Sequence, residues 1–285
     1  MTNNYHNDIQ QIDIDNAWNN LHARLQGNNL IPTPETGRSL FATPVFRWAV
    51  AAVLALCLTT IAIKYLMPEQ HKMPLLSMSN NDAENTLVKT LEDGSTVYLA
   101  GSSSLSYPAR FSKDSREVEM QGNALFDIAR NPAKPFRIET KKIIVEVLGT
   151  AFNVKSDAKG SFELAVLRGK VKVTQKSNGE FAYVVAGEQA TVVDNHWQKI
   201  RCTDTSLLDS FTRNMKFKDE PLDKIVQVIN LYSQRKIALK GEAIKSHKLN
   251  VQFYNNDIDG MTKVISLALH LKREVTRDSI YISQP

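Results

Sequence analysis

The side chains best suited to acid–base chemistry are five carboxylates within residues 117–146. They are Glu117, Glu119, Asp127, Glu139 and Glu146. A hydrolase needs two such groups, or a metal, to converge on one bond. These carboxylates instead stand in alternating runs, whose period of two puts most of them on a solvated sheet face. Their pattern therefore predicts hydrated surface groups, and we expect no enzyme.

Metal and cofactor motifs are also missing from the sequence. The six histidines are scattered, with no pair at ligand spacing. The two cysteines, Cys57 and Cys202, lie far apart and predict no disulfide framework. There is no glycine-rich phosphate loop, no HExxH and no GxSxG. We expect no metal and no cofactor.

A binding role is indicated instead by a short amphipathic helix near the N-terminus. Ile14, Trp18, Leu21 and Leu25 recur at helical spacing and make one apolar stripe, which Gly27 ends. A helix of this length is marginal alone in water, so it needs a partner. The partner could be a protein groove, a membrane surface or a second copy. Because the polar face has few basic residues, a protein groove is favoured.

An apolar run follows over residues 47–67. No charge occurs from Trp48 to Ile63, and a helix continuing to Met67 would reach about 30 Å, one hydrocarbon thickness. Lys64 would extend its ammonium group to the headgroups. The run predicts a single transmembrane helix between two soluble parts.

Charge does not decide which way that helix points. Arg38 and Arg47 precede it, and Lys64 and Lys72 follow it, so the basic residues near the span are balanced. Most of the net charge of +5 lies in residues 211–285, which hold thirteen basic and eight acidic residues. No arginine-rich or aromatic-interleaved basic motif accompanies that excess, so we expect no direct nucleic-acid binding.

Residues 86–200 predict a β-domain. Short alternating runs are separated by Asp93-Gly94, Gly122, Gly169, Asn178-Gly179 and Gly187. No helix of ordinary length interrupts them. A sandwich, a barrel and a solenoid all fit this pattern. Residues 68–85, before it, contain proline and asparagine and are predicted to be a linker.

Residues 211–285 change period and predict a small α+β domain. The expected order is β-α-β-β-α-β-β, with Pro221 at the entry to the first helix. The fold class is therefore mainly β with α+β: a short helical segment over 1–46, the membrane helix, the β-domain and this last domain.

The ordered set of strings in these domains resembles the FecR family of membrane-spanning anti-sigma regulators. The β-domain strings are LEDGSTVYLAGSSSLSYPARF (91–111), REVEMQGNALFDIARNPAKPFRIET (116–140), VEVLGTAFNV (145–154), VLRGKVKV (166–173) and GEQA (187–190). Residues 215–271 are similar to the signalling domain of TonB-dependent outer-membrane transducers, and DIDNAWNNLHARL (13–25) to the family's anti-sigma helix.

The resemblance implies an orientation and partners. The N-terminus would lie in the cytoplasm and the C-terminus in the periplasm, across the bacterial inner membrane. The helix with Trp18 would sequester an extracytoplasmic-function sigma factor. The C-terminal domain would meet the signalling domain of a TonB-dependent transporter. Envelope proteases would then cut the chain, for which the stretch 68–85 is a reachable loop.

The resemblance also marks Gly149-Thr150 as a candidate self-cleavage site. Some members of the family split at this pair when the threonine hydroxyl attacks the preceding carbonyl. The alternative is an ordinary turn between two strands, in which glycine gives the turn its shape and threonine has a high propensity for the strand that follows.

A different overall function also fits the composition. The chain could be a membrane-anchored periplasmic scaffold whose β-domain holds a glycan or another envelope component. In that case the N-terminal helix would be dispensable.

Overall fold

The structure is a computed structural model that describes residues 14–28, 52–53, 55–59, 74–202, 206–255 and 257–285. The chain divides into two compact units, residues 1–70 and residues 71–285. Each unit is described by itself.

The first unit contains helix α1, Ile14–Gly27, which confirms the predicted N-terminal helix. Asp15 lies in its first turn and Arg24 in its last turn, where their charges favour the helix dipole. Within the predicted span over 47–67, the described residues 52–53 and 55–59 are helical and exposed. Trp48, Ile63 and Lys64 lie outside the described residues. No helix in the described parts of the chain is long and apolar enough to cross a membrane.

The second unit begins with a β-domain of two facing sheets. Its strands are β1 (Leu75–Asn80), β2 (Thr86–Thr90), β3 (Thr96–Leu99), β4 (Ser103–Pro108), β5 (Arg116–Asp127), β6 (Phe136–Glu139), β7 (Ile143–Val147), β8 (Ala151–Ser156), β9 (Phe162–Arg168), β10 (Lys170–Gln175), β11 (Phe181–Val185), β12 (Glu188–Val193) and β13 (His196–Arg201). Sheet A has the order β1-β4-β5-β6-β7-β10-β11, and sheet B begins β13-β12-β9-β8-β5-β3-β2. Neighbouring strands are antiparallel except for the parallel pair β5–β6.

One long strand, β5, belongs to both sheets. Its residues up to Gln121 pair within sheet A, and from Gly122 onward it pairs with β8 in sheet B. The switch occurs at Gly122, whose φ is +102°. A Cβ at Gly122 would lie 2.6 Å from the Cα of Ser103, so only glycine fits this close approach. The sequence pattern had predicted a strand break at Gly122, whereas the structure bends one strand there.

The inward faces of the two sheets enclose the main hydrophobic cluster. Phe126 and Phe152 of sheet B stack with ring centroids 5.5 Å apart, and Phe136 of sheet A packs against Phe126 at 6.4 Å. All three are fully buried. Two mostly antiparallel sheets over one core form a sandwich, which decides among the architectures that the sequence left open.

The linker predicted over 68–85 is wrong for residues 75–80. These residues form β1, which pairs along its whole length with β4. Most side chains of β1 are exposed, because it is an edge strand with one neighbour. Because so few side chains of β1 are buried, its sequence lacks the alternation of apolar and polar residues that would have predicted a strand.

The C-terminal domain has the predicted order β-α-β-β-α-β-β after a short leading helix. Its elements are α2 (Leu207–Thr212), β14 (Asn214–Pro221), α3 (Leu222–Tyr232), β15 (Lys236–Lys240), β16 (Lys248–Tyr254), α4 (Ile258–Ala268), β17 (Lys272–Val275) and β18 (Ser279–Ser283). Strands β15, β18 and β17 form a separate small sheet, sheet C. Its β17–β18 pair is antiparallel.

The two domains share a sheet. Strand β14 pairs with β2 in parallel and with β16 in antiparallel fashion, so sheet B continues into the C-terminal domain. A second hydrophobic cluster covers the outer side of this junction and includes Tyr98 of β3 and Ile229 of α3. Strand β3 is buried throughout, because Val97 and Leu99 face the first cluster and Tyr98 faces the second.

A buried carboxylate fastens the junction. Glu220 of β14 is 1% exposed. It accepts hydrogen bonds from the Nζ of Lys89 at 2.5 Å and from the backbone N–H of Thr90 at 3.0 Å. A buried charge is tolerated when it is both paired and hydrogen-bonded. Glu220 reaches this position because β14 is irregular between Phe217 and Glu220.

A charged cluster holds the C-terminal domain together on its surface. Asp257 caps α4 by accepting hydrogen bonds from the N–H groups of Asp259 and Gly260. The carboxylate of Asp259 accepts hydrogen bonds from Arg235 and Arg273. The bonds from Arg235, with a smaller effect of Arg273, lower the pKa of Asp259. The cluster links α4 to the start of β15 and to β17.

Removing the partner of Glu220 should destabilise residues 71–285. In Lys89→Met, the buried carboxylate keeps only the backbone donor, and we expect a loss of about 2 kcal/mol in the free energy of unfolding. Lys248→Met is the matched control, because Lys248 pairs with Asp219 where both are more than half exposed. Its expected loss is much smaller, because solvent screens an exposed pair. Urea unfolding measures both, and equal losses would contradict the role of Glu220.

Asp259→Asn should weaken the fold in a pH-dependent way. Because the folded-state pKa of Asp259 is lowered, its contribution is present above its ordinary pKa and is lost as the pH falls through the folded value. At pH 7 we expect a loss of no more than about 1 kcal/mol, since the side chain is half exposed. Below the folded-state pKa of Asp259 the variant and the wild type should melt together. Asp278→Asn, at an exposed residue, is the control and should melt like the wild type at pH 7 in thermal melts.

Candidate functional site

The predicted binding stripe lies on α1. Trp18 is 64% exposed and Leu21 is 48% exposed, and Leu25 is partly buried. The side chain of Ile14 lies outside the described residues. Trp18 and His22 stack with ring centroids 6.4 Å apart, so the tryptophan is held along the helix. A large, exposed aromatic side chain next to exposed leucine is the usual composition of an interface anchor.

The Gly149-Thr150 pair occupies a constrained turn between β7 and β8. Gly149 has a φ of +152°, and a Cβ there would lie 2.5 Å from the Cα of Arg130. Thr150 is 2% exposed, and its hydroxyl donates to the carbonyl oxygen of Lys170 at 3.1 Å. The carbonyls of Leu148 and Thr150 accept hydrogen bonds from Asn131 and Ile128. The peptide bond between Gly149 and Thr150 is therefore flanked on both sides by backbone hydrogen bonds.

A buried arginine fixes the loop that presses on Gly149. Arg116 is 1% exposed and donates to the carboxylate of Asp93 at 2.6 Å. It also donates to the carbonyl oxygens of Ala129 and Lys134, each at 2.9 Å. The hydroxyl of Ser95 joins this network by donating to Asp93 and accepting from the N–H of Ala129. Residues 129–134 are therefore held by side chains from β5 and from the turn before β3.

The five candidate carboxylates are spread over neighbouring strands. Asp127, Glu139 and Glu146 pair with Arg168, Lys176 and Lys172 at 2.7, 3.0 and 3.0 Å. Glu117 and Glu119 are exposed on β5. Within the ranges that the structure describes, no three His, Cys, Asp or Glu side chains come together in a way that could hold a metal ion.

The C-terminal domain offers an edge for a partner. Over the described residues, β16 pairs only with β14, which leaves its second edge open. Its side chains alternate, with Leu249 and Phe253 buried and Asn250 and Tyr254 exposed. An open edge of this kind can accept an added strand.

Two buried charged side chains, those of Arg116 and Glu220, were not predicted from the sequence. Arg116 stands on the same face of its strand as Val118 and Met120, and the alternation in REVEM could have shown that it points into the core. Glu220 carries no such signal, because the irregularity in β14 breaks the period of two.

Comparison with known proteins gives a family match and similar solved structures. Residues 82–172 match the family described as FecR protein. The similar solved structures include two crystal structures, both of a candidate anti-sigma factor from Parabacteroides distasonis. The first has 23% identity and a TM-score of 0.46, and the second 22% and 0.45. Each alignment covers 74% of this chain, with 100% and 99% of the respective structures. The search of curated proteins finds no match.

The family match runs from the turn before β2 into β10 and includes β5, Arg116 and the Gly149-Thr150 pair. The resemblance seen in the sequence strings is thereby confirmed for this part of the chain. Residues 82–172 are therefore similar to the FecR protein family, and the β-domain that contains them (β1–β13) is called the FecR domain.

Proposed function

We propose that this protein is a single-pass inner-membrane anti-sigma factor. It sequesters an extracytoplasmic-function sigma factor in the cytoplasm and releases it on a periplasmic signal from a TonB-dependent outer-membrane transducer. The observation that carries the proposal is the match of residues 82–172 to the FecR protein family. The N-terminus is cytoplasmic, the apolar run over 47–67 crosses the membrane, and residues 71–285 lie in the periplasm.

The cytoplasmic contact is made by the stripe of α1. Burying an exposed tryptophan and the leucines beside it supplies most of the binding free energy. A short helix that gains its stability from the partner also binds reversibly, because the cost of ordering it lowers the affinity. Both properties suit an inhibitor that must bind its target and later release it.

The periplasmic contact is made by the C-terminal domain. Its open β16 edge can take a strand from the transducer's signalling domain. Because β16 pairs with β14, and β14 pairs with β2 of the FecR domain, a change at this edge bears directly on the FecR domain. Ligand binding shifts a conformational equilibrium only if the ligand binds one of two states more tightly. The shared sheet connects the β16 edge, where the ligand would bind, to the FecR domain.

Trp18→Ala combined with Leu21→Ala should abolish sigma binding by residues 1–46. We expect a loss of at least about 30-fold in affinity in a pull-down or calorimetric titration against the host's sigma factors. Asn19→Ala combined with Asn20→Ala is the matched control on the opposite side of α1 and should bind within about twofold of wild type.

Failure of residues 1–46 to bind any sigma factor would contradict the proposal. Retained function of the full chain after Trp18→Ala and Leu21→Ala would favour a membrane-anchored envelope scaffold instead.

We also propose that the chain cleaves itself once at Gly149-Thr150. The observation that favours it is the clamped geometry of this bond, with the Thr150 hydroxyl held at Lys170. In the reaction the Thr150 Oγ attacks the Gly149 carbonyl carbon, the C–N bond breaks, and the hydroxyl proton passes to the released amine. Water then hydrolyses the ester, leaving a Gly149 carboxylate and a new N-terminal Thr150.

Mass spectrometry of purified residues 71–285 should find a fragment that begins at Thr150. Thr150→Ala should keep the chain whole, because no nucleophile remains. Thr140→Ala, which removes another buried hydroxyl of the same domain, should still be cut. An intact wild-type chain would end the self-cleavage proposal without touching the anti-sigma proposal.

A further inference from the structure

Two clefts adjoin at the Gly149 turn. One, of about 560 Å³, has walls that include Tyr183, Lys170 and Glu146. The other, of about 540 Å³, has walls that include Arg168, Asp127 and Leu231. Both are lined by Arg130, Gly149 and Gly169. Because they share these three residues, the two clefts are adjacent, one on the β10–β11 side of the FecR domain and the other reaching α3 of the C-terminal domain, and together they are called the groove.

The groove has an unbalanced positive charge. Its two carboxylates are neutralised, since Asp127 pairs with Arg168 at 2.7 Å and Glu146 with Lys172 at 3.0 Å. Arg130 and Lys170 are exposed, and no carboxylate of the described residues lies within ion-pair distance of either. A ligand with negative charge at its centre would complement them.

The ends of the groove are apolar. Leu231 is 57% exposed at the α3 end, and Leu148 and Tyr183 are 44% and 47% exposed at the other end. Exposed large apolar side chains on both sides of a charged centre fit an extended peptide with acidic residues between apolar ones. A sugar polymer fits less well, because the only aromatic ring on the walls, Tyr183, has the Nζ of Lys170 3.9 Å from its centroid.

Strand addition at the neighbouring sheet edge is hindered by two side chains. The carbonyl oxygen of Tyr183 accepts a hydrogen bond from Lys199 at 3.2 Å. The N–H of Val185 donates to the carboxylate of Glu188 at 3.0 Å. Side chains therefore occupy two outward backbone groups of β11, which favours a partner that is held by side chains in the groove.

We propose that this groove binds an acidic, extended peptide segment of a partner protein, with Arg130 and Lys170 pairing with its carboxylates. The proposal does not depend on sigma binding or on self-cleavage. Because the groove passes over Gly149, an occupant would also cover the bond between Gly149 and Thr150.

The test uses residues 71–285, a compact unit that contains both hydrophobic clusters. The probe is a fluorescein-labelled peptide of sequence LEEGGEEL, titrated at low ionic strength and followed by fluorescence anisotropy. We expect a Kd of tens of micromolar, on the order of −6 kcal/mol, that weakens with added salt. The same peptide with lysine in place of glutamate should not bind.

Charge reversal locates the site. Arg130→Glu with Lys170→Glu should weaken binding at least tenfold, because both side chains are exposed and their loss should spare the fold. Lys113→Glu with Lys159→Glu is the matched control, as both are exposed loop lysines outside the groove. It should bind within about twofold of wild type.

Three results would overturn the proposal. The first is equal weakening by both double variants, and the second is a Kd above about 1 mM for the acidic peptide. The third is a preference for oligogalacturonate over the peptide that is lost in Arg130→Glu with Lys170→Glu, which would assign the groove to an acidic polysaccharide.

Discussion

The pairing of β14 with β2 is the constraint on which residues 71–285 depend. It joins the FecR domain and the C-terminal domain through one sheet, and the buried pair of Glu220 and Lys89 fastens it. Strand β3 lies at the centre of this arrangement, since its alternate side chains belong to two different hydrophobic clusters. Without the C-terminal domain, Val88, Tyr98 and Leu125 would face water, at a cost of about 1.5–3 kcal/mol for each large apolar side chain.

This construction bears on how a signal could pass between the two domains. A flexible linker between the domains would let each move alone, whereas a shared sheet couples them through backbone hydrogen bonds and a common core. The groove lies at the same boundary, with Leu231 of α3 on one wall and the Gly149 turn beneath it. The loop on Gly149 is in turn set by Arg116 and Asp93. A displacement of the C-terminal domain would therefore reach the Gly149-Thr150 bond through a few contacts.

Much of the fold could be predicted from sequence, because period and turn chemistry are local. The α1 helix, most β-domain strands and the order of the C-terminal domain followed from such patterns. The features that the sequence did not predict depend on partners far away in the chain. Strand β1 is exposed and owes its existence to β4, and β5 continues through Gly122 because two sheets need it. The junction at Glu220 and the groove bring together residues far apart in the chain, which no local pattern encodes.

The most direct test of the shared sheet is differential scanning calorimetry of residues 71–285. One folding unit should unfold in a single transition whose calorimetric and van't Hoff enthalpies agree. After deletion of residues 206–285, the remaining FecR domain should melt at a clearly lower temperature, because one face of β2 and β3 has lost its cover. Two separate transitions in residues 71–285, with one unchanged in the truncated chain, would contradict the account.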